Sequence, residues 1–202
     1  LESLINSNTK LILTNSPSNP LGTVSARAEL EYLCSTGIPV ISDEVYEAFA
    51  FGSEYVSACE VSDETFLVGS FSKAFALAGL RLGYLILPAS EDPNEIWNIK
   101  ASVNFCTGVV TQRIGLAIMR NVDACLQAHR QYLESNRELL FELCEKYGFR
   151  LLFPNPSGFF ALIDSSHIDR PAAQIARDLV SDYRLGIMPA SDFGPSAEGF
   201  IR

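Results

Sequence analysis

The 202-residue chain is 48% hydrophobic and 19% charged, enough apolar surface for a sizeable core and too much for wholesale disorder. Against 24 Asp and Glu stand 15 Lys and Arg, so the net charge of −9 offers no basic field to nucleic acid or to an anionic membrane. Five cysteines without a CxxC pair, beside only His129 and His167, exclude a zinc site and predict reduced, mostly buried thiols of a cytoplasmic protein.

In chain order, Lys10 to Thr14 (KLILT) is a short apolar run that ends in a loop of Asn, Ser, Pro and Gly, the pattern of a buried strand. Ser25 is the expected N-cap of an amphipathic helix to about Ser35, with Glu29 near its first turn and Gly37 as its stop. Ile38 to Ser42, Thr65 to Gly69 and Leu82 to Leu87 are three further strands. Strand, helix and strand in alternation with short loops imply an α/β layer whose functional loops lie at strand ends.

Beyond residue 90 the character changes. Glu91 to about Ser102, Val109 to Arg120 and the long stretch Asp123 to Tyr147 read as helices, the last ended by Gly148. Phe149 to Phe153 and Gly158 to Ile163 are expected strands, followed by a helix from Pro171, a good first-turn residue, to about Tyr183. Gly186 to Pro189 and Gly199 to Arg202 form a final pair around a turn-rich segment. A division near Asp123 follows: residues 1–122 in the α/β part, and residues 123–202 in a smaller α+β part. No apolar run reaches the length of a membrane span, and the start LESLINSNTK is no signal peptide. The first residue is not Met and the chain stops abruptly at Arg202, so a piece of a longer polypeptide is expected.

Three loops follow predicted strands: NSPSNPLG (15–22), SDEVY (42–46) and GSFSK (69–73), the last running on through LAGLRLGY (77–84). Strand-end loops of an open α/β sheet are where a ligand crevice belongs. Lys73, among small hydroxyl residues, is an amine able to form a Schiff base once it loses a proton. Ser70, Ser72 and Arg81 can clamp a phosphate through hydroxyl and guanidinium donors. Asp43, directly after an apolar strand, needs a cationic or donor partner, and a protonated pyridine nitrogen would serve. Lys, Asp and phosphate donors together are the demands of pyridoxal phosphate. Each has a plainer reading: a Ser-rich turn is usually solvated, an Asn-Pro turn is usually only a turn, and an Asp after a strand often caps a helix. Their joint occurrence on successive strand ends favours chemistry. Phe49, Phe51, Phe141, Phe159 and Phe160 are taken as core.

On these residues the chain resembles the class I/II aminotransferases of the fold-type I pyridoxal-phosphate enzymes. SPSNPLG looks like their NPxNPTG loop with Leu21 in place of Thr, SDEVY like their D-x-x-Y element, and SFSKAFALAGLRLGY like their lysine signature. Ser191 to Gly194 with Gly199 to Arg202 resembles the segment that carries their substrate-carboxylate arginine. The resemblance implies the C-terminal portion of a large domain (a mostly parallel sheet with helices on both faces) and a small α+β domain cut short at its end. It implies that Lys73 forms the Schiff base and shuttles the proton, and that Asp43 keeps the ring nitrogen protonated. Asn19 and Tyr46 would donate to the ring's phenolic oxygen. Ser70, Arg81 and Ser72 would hold the phosphate, and Arg202 would grip the substrate carboxylate, with Asn19 also at the substrate. The implied activity is amino-group transfer between an L-amino acid and a 2-oxo acid. The alternatives are a C–S lyase or decarboxylase on the same scaffold, or a ligand-sensing domain of a transcription regulator. A homodimer is implied, and so are absent parts: an N-terminal arm, a glycine-containing phosphate loop and an aromatic residue stacked on the cofactor. The isolated chain is therefore expected to fold poorly or to bind cofactor weakly.

Overall fold

Strands β1 (Ile12–Asn15), β2 (Val40–Asp43) and β3 (Thr65–Ser70) run parallel, and β4 (Gly83–Ile86) closes the order β1-β2-β3-β4 antiparallel to β3. This is a computed structural model that describes residues 2–52, 54–154 and 157–202. One face of the central strands is fully covered, with Val40, Ser42, Thr65 and Leu67 buried, and the apolar Ile41, Phe66 and Val68 of the other face are half-buried. Parallel pairing aligns the strand ends, with Asn15 opposite Asp43 and Asp43 opposite Val68. The three loops singled out from the sequence therefore leave one edge of the sheet together.

Helix α1 (Arg27–Ser35) returns the chain from β1 to β2 and buries Leu30 and Leu33. Its N-cap is Ala26, not Ser25: the Glu29 carboxylate accepts from the Ala26 N–H at 2.8 Å, while the Ser25 N–H donates to Ser16 Oγ at 2.9 Å. The acidic half of the capping pattern is present, while the N-cap position falls on Ala26, which has no hydroxyl to supply the other half. A single turn, α2 (Phe71–Ala74), follows β3 directly and carries Lys73. Gly69 precedes it because a Cβ there would run into the Tyr84 ring on β4.

The helical half is α3 (Pro93–Asn104), α4 (Val109–Met119), α5 (Val122–Tyr147) and, later, α6 (Ala172–Tyr183). Asp92 caps α3 by accepting from the Asn94 N–H, with Pro93 at the first helical position. Gly148, left-handed at φ 72°, ends α5 as its position promised. Pro171 stands at the N-cap of α6, one residue outside the helix.

The second sheet is smaller than its sequence suggests. Among the described residues only β5 (Ile163–Asp164) and β6 (Phe200–Ile201) pair, with single bridges at Leu151–Ile163 and Pro189–Ile201. Strands over Phe149 to Phe153, Gly158 to Ile163 and Gly186 to Pro189 do not form as such. Gly158 turns at φ 81°, and its N–H goes to the Phe49 carbonyl, while the Ser157 N–H goes to the Gly22 carbonyl. Backbone groups expected in a ladder thus tie this segment to the turns of the first sheet.

Phe49 and Phe51 are core as expected, with Tyr46, Ala48 and Ala74, and Phe160 packs against them. Phe159 is 40% exposed, though its ring meets those of Tyr46 and Phe49 edge-on. Phe141 is half-buried beneath the Arg137 guanidinium, 4.5 Å from its ring centroid. The thiols are not mostly buried: Cys106 and Cys125 are exposed, Cys34 and Cys59 half-buried, and Cys144 alone among the described residues is buried. Among the described residues no cluster suits a metal ion, and no helix is long and apolar enough to cross a membrane.

Candidate functional site

The loop after β1 is built around two asparagines. Asn15 donates from Nδ2 to the Asp43 carbonyl at 3.0 Å and accepts the Asn19 N–H on Oδ1 at 2.8 Å. One side chain thereby fixes the end of β2 and the position of Asn19. The Ser16–Pro17 and Asn19–Pro20 bonds of this loop are both cis.

Asn19 is the junction of the site. Its Nδ2 donates to Tyr46 Oη at 3.3 Å, and its Oδ1 accepts from Arg202 Nη1 at 2.8 Å. Residues from the first strand-end loop, the second loop and the far end of the chain thus form one hydrogen-bonded row. Arg202 is held by backbone exchange with Met188 at 3.0 and 2.8 Å, and its guanidinium lies over the Phe160 and Phe193 rings, 5.5 and 5.3 Å from their centroids. One edge of the fork meets Asn19, and donors remain for a further acceptor.

Tyr46 is buried beneath this row. Burial pushes its phenol above the ordinary value, the Arg202 charge pulls it back, the Asp43 carboxylate pushes it up again, and the Asn19 bond lowers it. The phenol is therefore protonated at neutral pH. Since its oxygen already accepts from Asn19, its proton is available to another acceptor. Lys73 Nζ lies over the same ring, 5.8 Å from its centroid, and among the described residues it has no ion pair. Asp43 has one donor among the described residues, the Val45 N–H on Oδ1 at 3.3 Å, and no ion pair. An amine and a carboxylate without saturating partners, beside a phenol and an amide with protons to give, suit pyridoxal phosphate in charge and in donor set.

The phosphate side is more open. Ser70 caps α2 by accepting the Ser72 N–H on Oγ at 3.0 Å, which leaves its hydroxyl proton to donate outward. The Phe71 N–H bonds the Leu82 carbonyl at 3.1 Å and so holds the turn containing Arg81 beside this corner. Arg81 itself is exposed and left-handed (φ 52°), and its Nη1 donates to the Ala78 carbonyl at 2.9 Å. Asn19, Tyr46, Asp43, Lys73 and Arg202 are brought together. Ser70 and Ser72 flank Lys73 in sequence, and Arg81 is engaged within its own turn.

Asn15 and Glu44 escaped the sequence reading. Glu44 is wholly buried, accepts from Ser42 Oγ at 2.8 Å and the Ala58 N–H at 2.8 Å, and bonds the Tyr55 hydroxyl. It locks the loop of residues 55–58 under the end of β2. An acidic residue next to Asp43 in SDEVY was the available signal, but nothing in the sequence says which of the two carboxylates faces inward.

A family model described as "Aminotransferase class I and II" matches residues 1–202. The arginine–pyruvate transaminase of Pseudomonas aeruginosa is 30% identical over 207 residues, covering 98% of this chain and 52% of that protein. The aspartate aminotransferase of Thermotoga maritima is 29% identical over 209 residues, covering 100% and 53%. Among solved structures, a double mutant of the Thermus thermophilus aspartate aminotransferase superposes with a TM-score of 0.88 at 26% identity, over 99% of this chain and 53% of that one. The chain thus spans about half the length of the relatives it matches.

Proposed function

The chain belongs to the class I and II aminotransferases, a pyridoxal-phosphate-dependent family on the fold-type I scaffold, and from that premise we propose that the whole protein moves an amino group between an L-amino acid and a 2-oxo acid. The observation that carries the proposal is the convergence of Asn19, Asp43, Tyr46 and Lys73 at neighbouring strand ends, with Arg202 bonded to Asn19.

Pyridoxal phosphate, when bound, supplies an aldehyde for amines and a protonated ring that draws electrons from the substrate. The residues divide the remaining work. Lys73 would hold the cofactor through Nζ and, as a free amine, would carry the proton taken from the substrate Cα to the carbon that began as the cofactor's aldehyde. Asp43 would keep the proton on the ring nitrogen, and Asn19 and Tyr46 would donate to the ring's oxygen. Ser70, Ser72 and Arg81 would hold the phosphate, Arg81 with the guanidinium donors that its bond to the Ala78 carbonyl leaves over. Arg202, lying over Phe160 and Phe193, would take the substrate carboxylate with its remaining donors. We divide the chain near Asp123, with residues 1–122 in the cofactor-binding domain and 123–202 in the small domain, and read the whole protein as a cytoplasmic homodimer.

Borohydride reduction of the full-length protein with pyridoxal phosphate, followed by peptide mapping, is expected to label Lys73; a label on another lysine refutes its role. Lys73→Ala is expected to lower turnover by about 10³-fold or more, since both the covalent anchor and the proton carrier are lost. Ammonia released from the donor, in place of a newly aminated oxo acid, would replace transfer by elimination.

A further inference from the structure

The two turns that carry Lys73 and Tyr46 are too short to fix their own geometry. α2 has four residues and the 3-10 turn Glu47–Phe49 after Tyr46 has three, whereas isolated helices shorter than about 12 residues are marginal. Each also ends in carbonyls that no helical partner can satisfy. Both shortfalls are met from α5, by two consecutive residues.

His129 Nδ1 lies 3.0 Å from the Ala74 carbonyl, the residue directly after Lys73. A carbonyl only accepts, so Nδ1 carries the proton in this contact. Arg130 Nη1 donates to the Ala48 carbonyl at 2.9 Å, two residues beyond Tyr46. Packing fixes both donors: the His129 ring meets Phe49 edge-on at 5.5 Å, and the Arg130 guanidinium lies over Phe51 at 4.9 Å. Leu126 and Leu133, one helical turn to either side, pack against the same core of Tyr46, Ala48, Phe49, Phe51 and Ala74. The helix behind them has 26 residues, about 39 Å of continuous hydrogen-bonded backbone.

We infer that His129 and Arg130 are positioning residues: a two-point clamp on α5 that sets where the Lys73 turn stands relative to the Tyr46 turn. The inference rests on the function proposed above. Neither side chain contacts the reacting groups. His129 acts through the backbone next to Lys73, and Arg130 through the backbone next to Tyr46. A shift of either turn changes the 5.8 Å between Nζ and the Tyr46 ring, and misplacement by about 1 Å can cost on the order of 100-fold in rate.

The test uses the full-length protein loaded with pyridoxal phosphate and four variants. His129→Leu keeps apolar packing against Phe49 and removes the donor, while His129→Asn keeps a donor near the Nδ1 position and removes most of the ring. Arg130→Met and Arg130→Lys separate stem from donor in the same way. For the Leu and Met variants a fall in kcat of about tenfold is expected, with the amino donor's KM within about twofold, because alignment is lost and binding is not. The pH midpoint of the visible band of the lysine-bound cofactor is expected to move in the same two variants. The Asn and Lys variants are expected to stay within about twofold of the parent in kcat and to keep its midpoint. The reverse order, with Leu active and Asn impaired, would show packing alone and overturn the clamp. So would four variants that match the parent. If the Leu variant does not fold, the Asn variant decides: parental values support the clamp, and a tenfold loss with cofactor loaded overturns it. A parent protein that never develops the visible band fails earlier, and that failure belongs to the proposed function.

Discussion

Phe49 and Val103 are both large apolar residues, yet the first is 0% exposed and the second 81%. The difference is regional. Phe49 lies where the strand-end turns meet one face of α5; its neighbours Tyr46 and Phe51 come from the connection after β2, and Ala74 from α2. Val103 lies on α3, where Trp97 and Ile99 are exposed with it; α4 likewise exposes Val109 and Val110, and all four residues of β4 are exposed. A cavity of about 690 Å³, lined by Tyr55, Ser70, Phe71, Tyr84, Met119 and Leu126, opens between the two regions. Apolar spacing therefore reveals the phase of a helix and says nothing about whether its partner lies in the same stretch of sequence.

The sharpest way to break this contrast is a pair of truncations in the 202-residue chain, under conditions where circular dichroism shows it folded and its unfolding cooperative. Phe49→Ala is expected to cost about 3–5 kcal/mol of unfolding free energy, for lost burial and the cavity left behind. Val103→Ser is expected to stay within about 0.5 kcal/mol and to raise solubility, since an exposed apolar side chain has no packing to lose. Denaturant unfolding of both variants checks this. Equal costs would mean that α3 is covered in solution after all, and the contrast between the regions would be gone.

Legibility in the sequence follows the same division. β2 and β3 were readable because an apolar run between two turn signals has one good use, a buried parallel strand. The grouping of the candidate residues was readable because they sit at or just after the ends of those strands, so locating the strands located Asp43, Asn19 and Lys73 relative to one another. The segment from Phe149 to Ile163 was not. Its aromatic and apolar residues carry strand propensity, but Gly158 turns left-handed and its N–H serves the Phe49 carbonyl, a tertiary demand that local propensity cannot express. His129 was weighed only as a metal ligand, because its partner is a backbone carbonyl 55 residues away. Ser25 failed as a cap by one residue of register: Glu29 accepts from the Ala26 N–H, so the helix begins one position later.

A smaller effect probes the polar part of the buried region. Glu44→Gln keeps the shape and exchanges a carboxylate that accepts from Ser42, Tyr55 and the Ala58 N–H for an amide with one acceptor oxygen. One of three donors is then left facing an NH₂ group, at a cost of about 1–3 kcal/mol. Amide exchange at Ala58 is expected to quicken in the variant, while exchange along α3 stays unchanged. An effect spread evenly over both regions would show that the loop of residues 55–58 is not a local unit of the site corner.

The smallest effect is a matter of pH. Burial holds the Tyr46 phenol above its ordinary value of 10.0 in the folded protein, the Arg202 charge opposing and the Asp43 carboxylate adding to it. The unfolded chain has no such bias, so as the pH passes 10 it sheds the phenolic proton first. Unfolding then releases a proton, and stability must fall as the pH rises. The phenol's contribution is thus fully present below pH 10 and is lost as the pH climbs through the folded value. Tyr46→Phe removes the titrating group together with the bond from Asn19, at about 1 kcal/mol below pH 10. The stability difference between parent and variant should therefore hold steady to about pH 9 and narrow above 10, which denaturant titrations at successive pH values can follow. A difference that widens with alkali would mean that the phenol ionises more readily in the folded protein than in the unfolded chain. Arg202 would then outweigh burial, and Tyr46 would stand in the site as a poised anion, with no proton to donate.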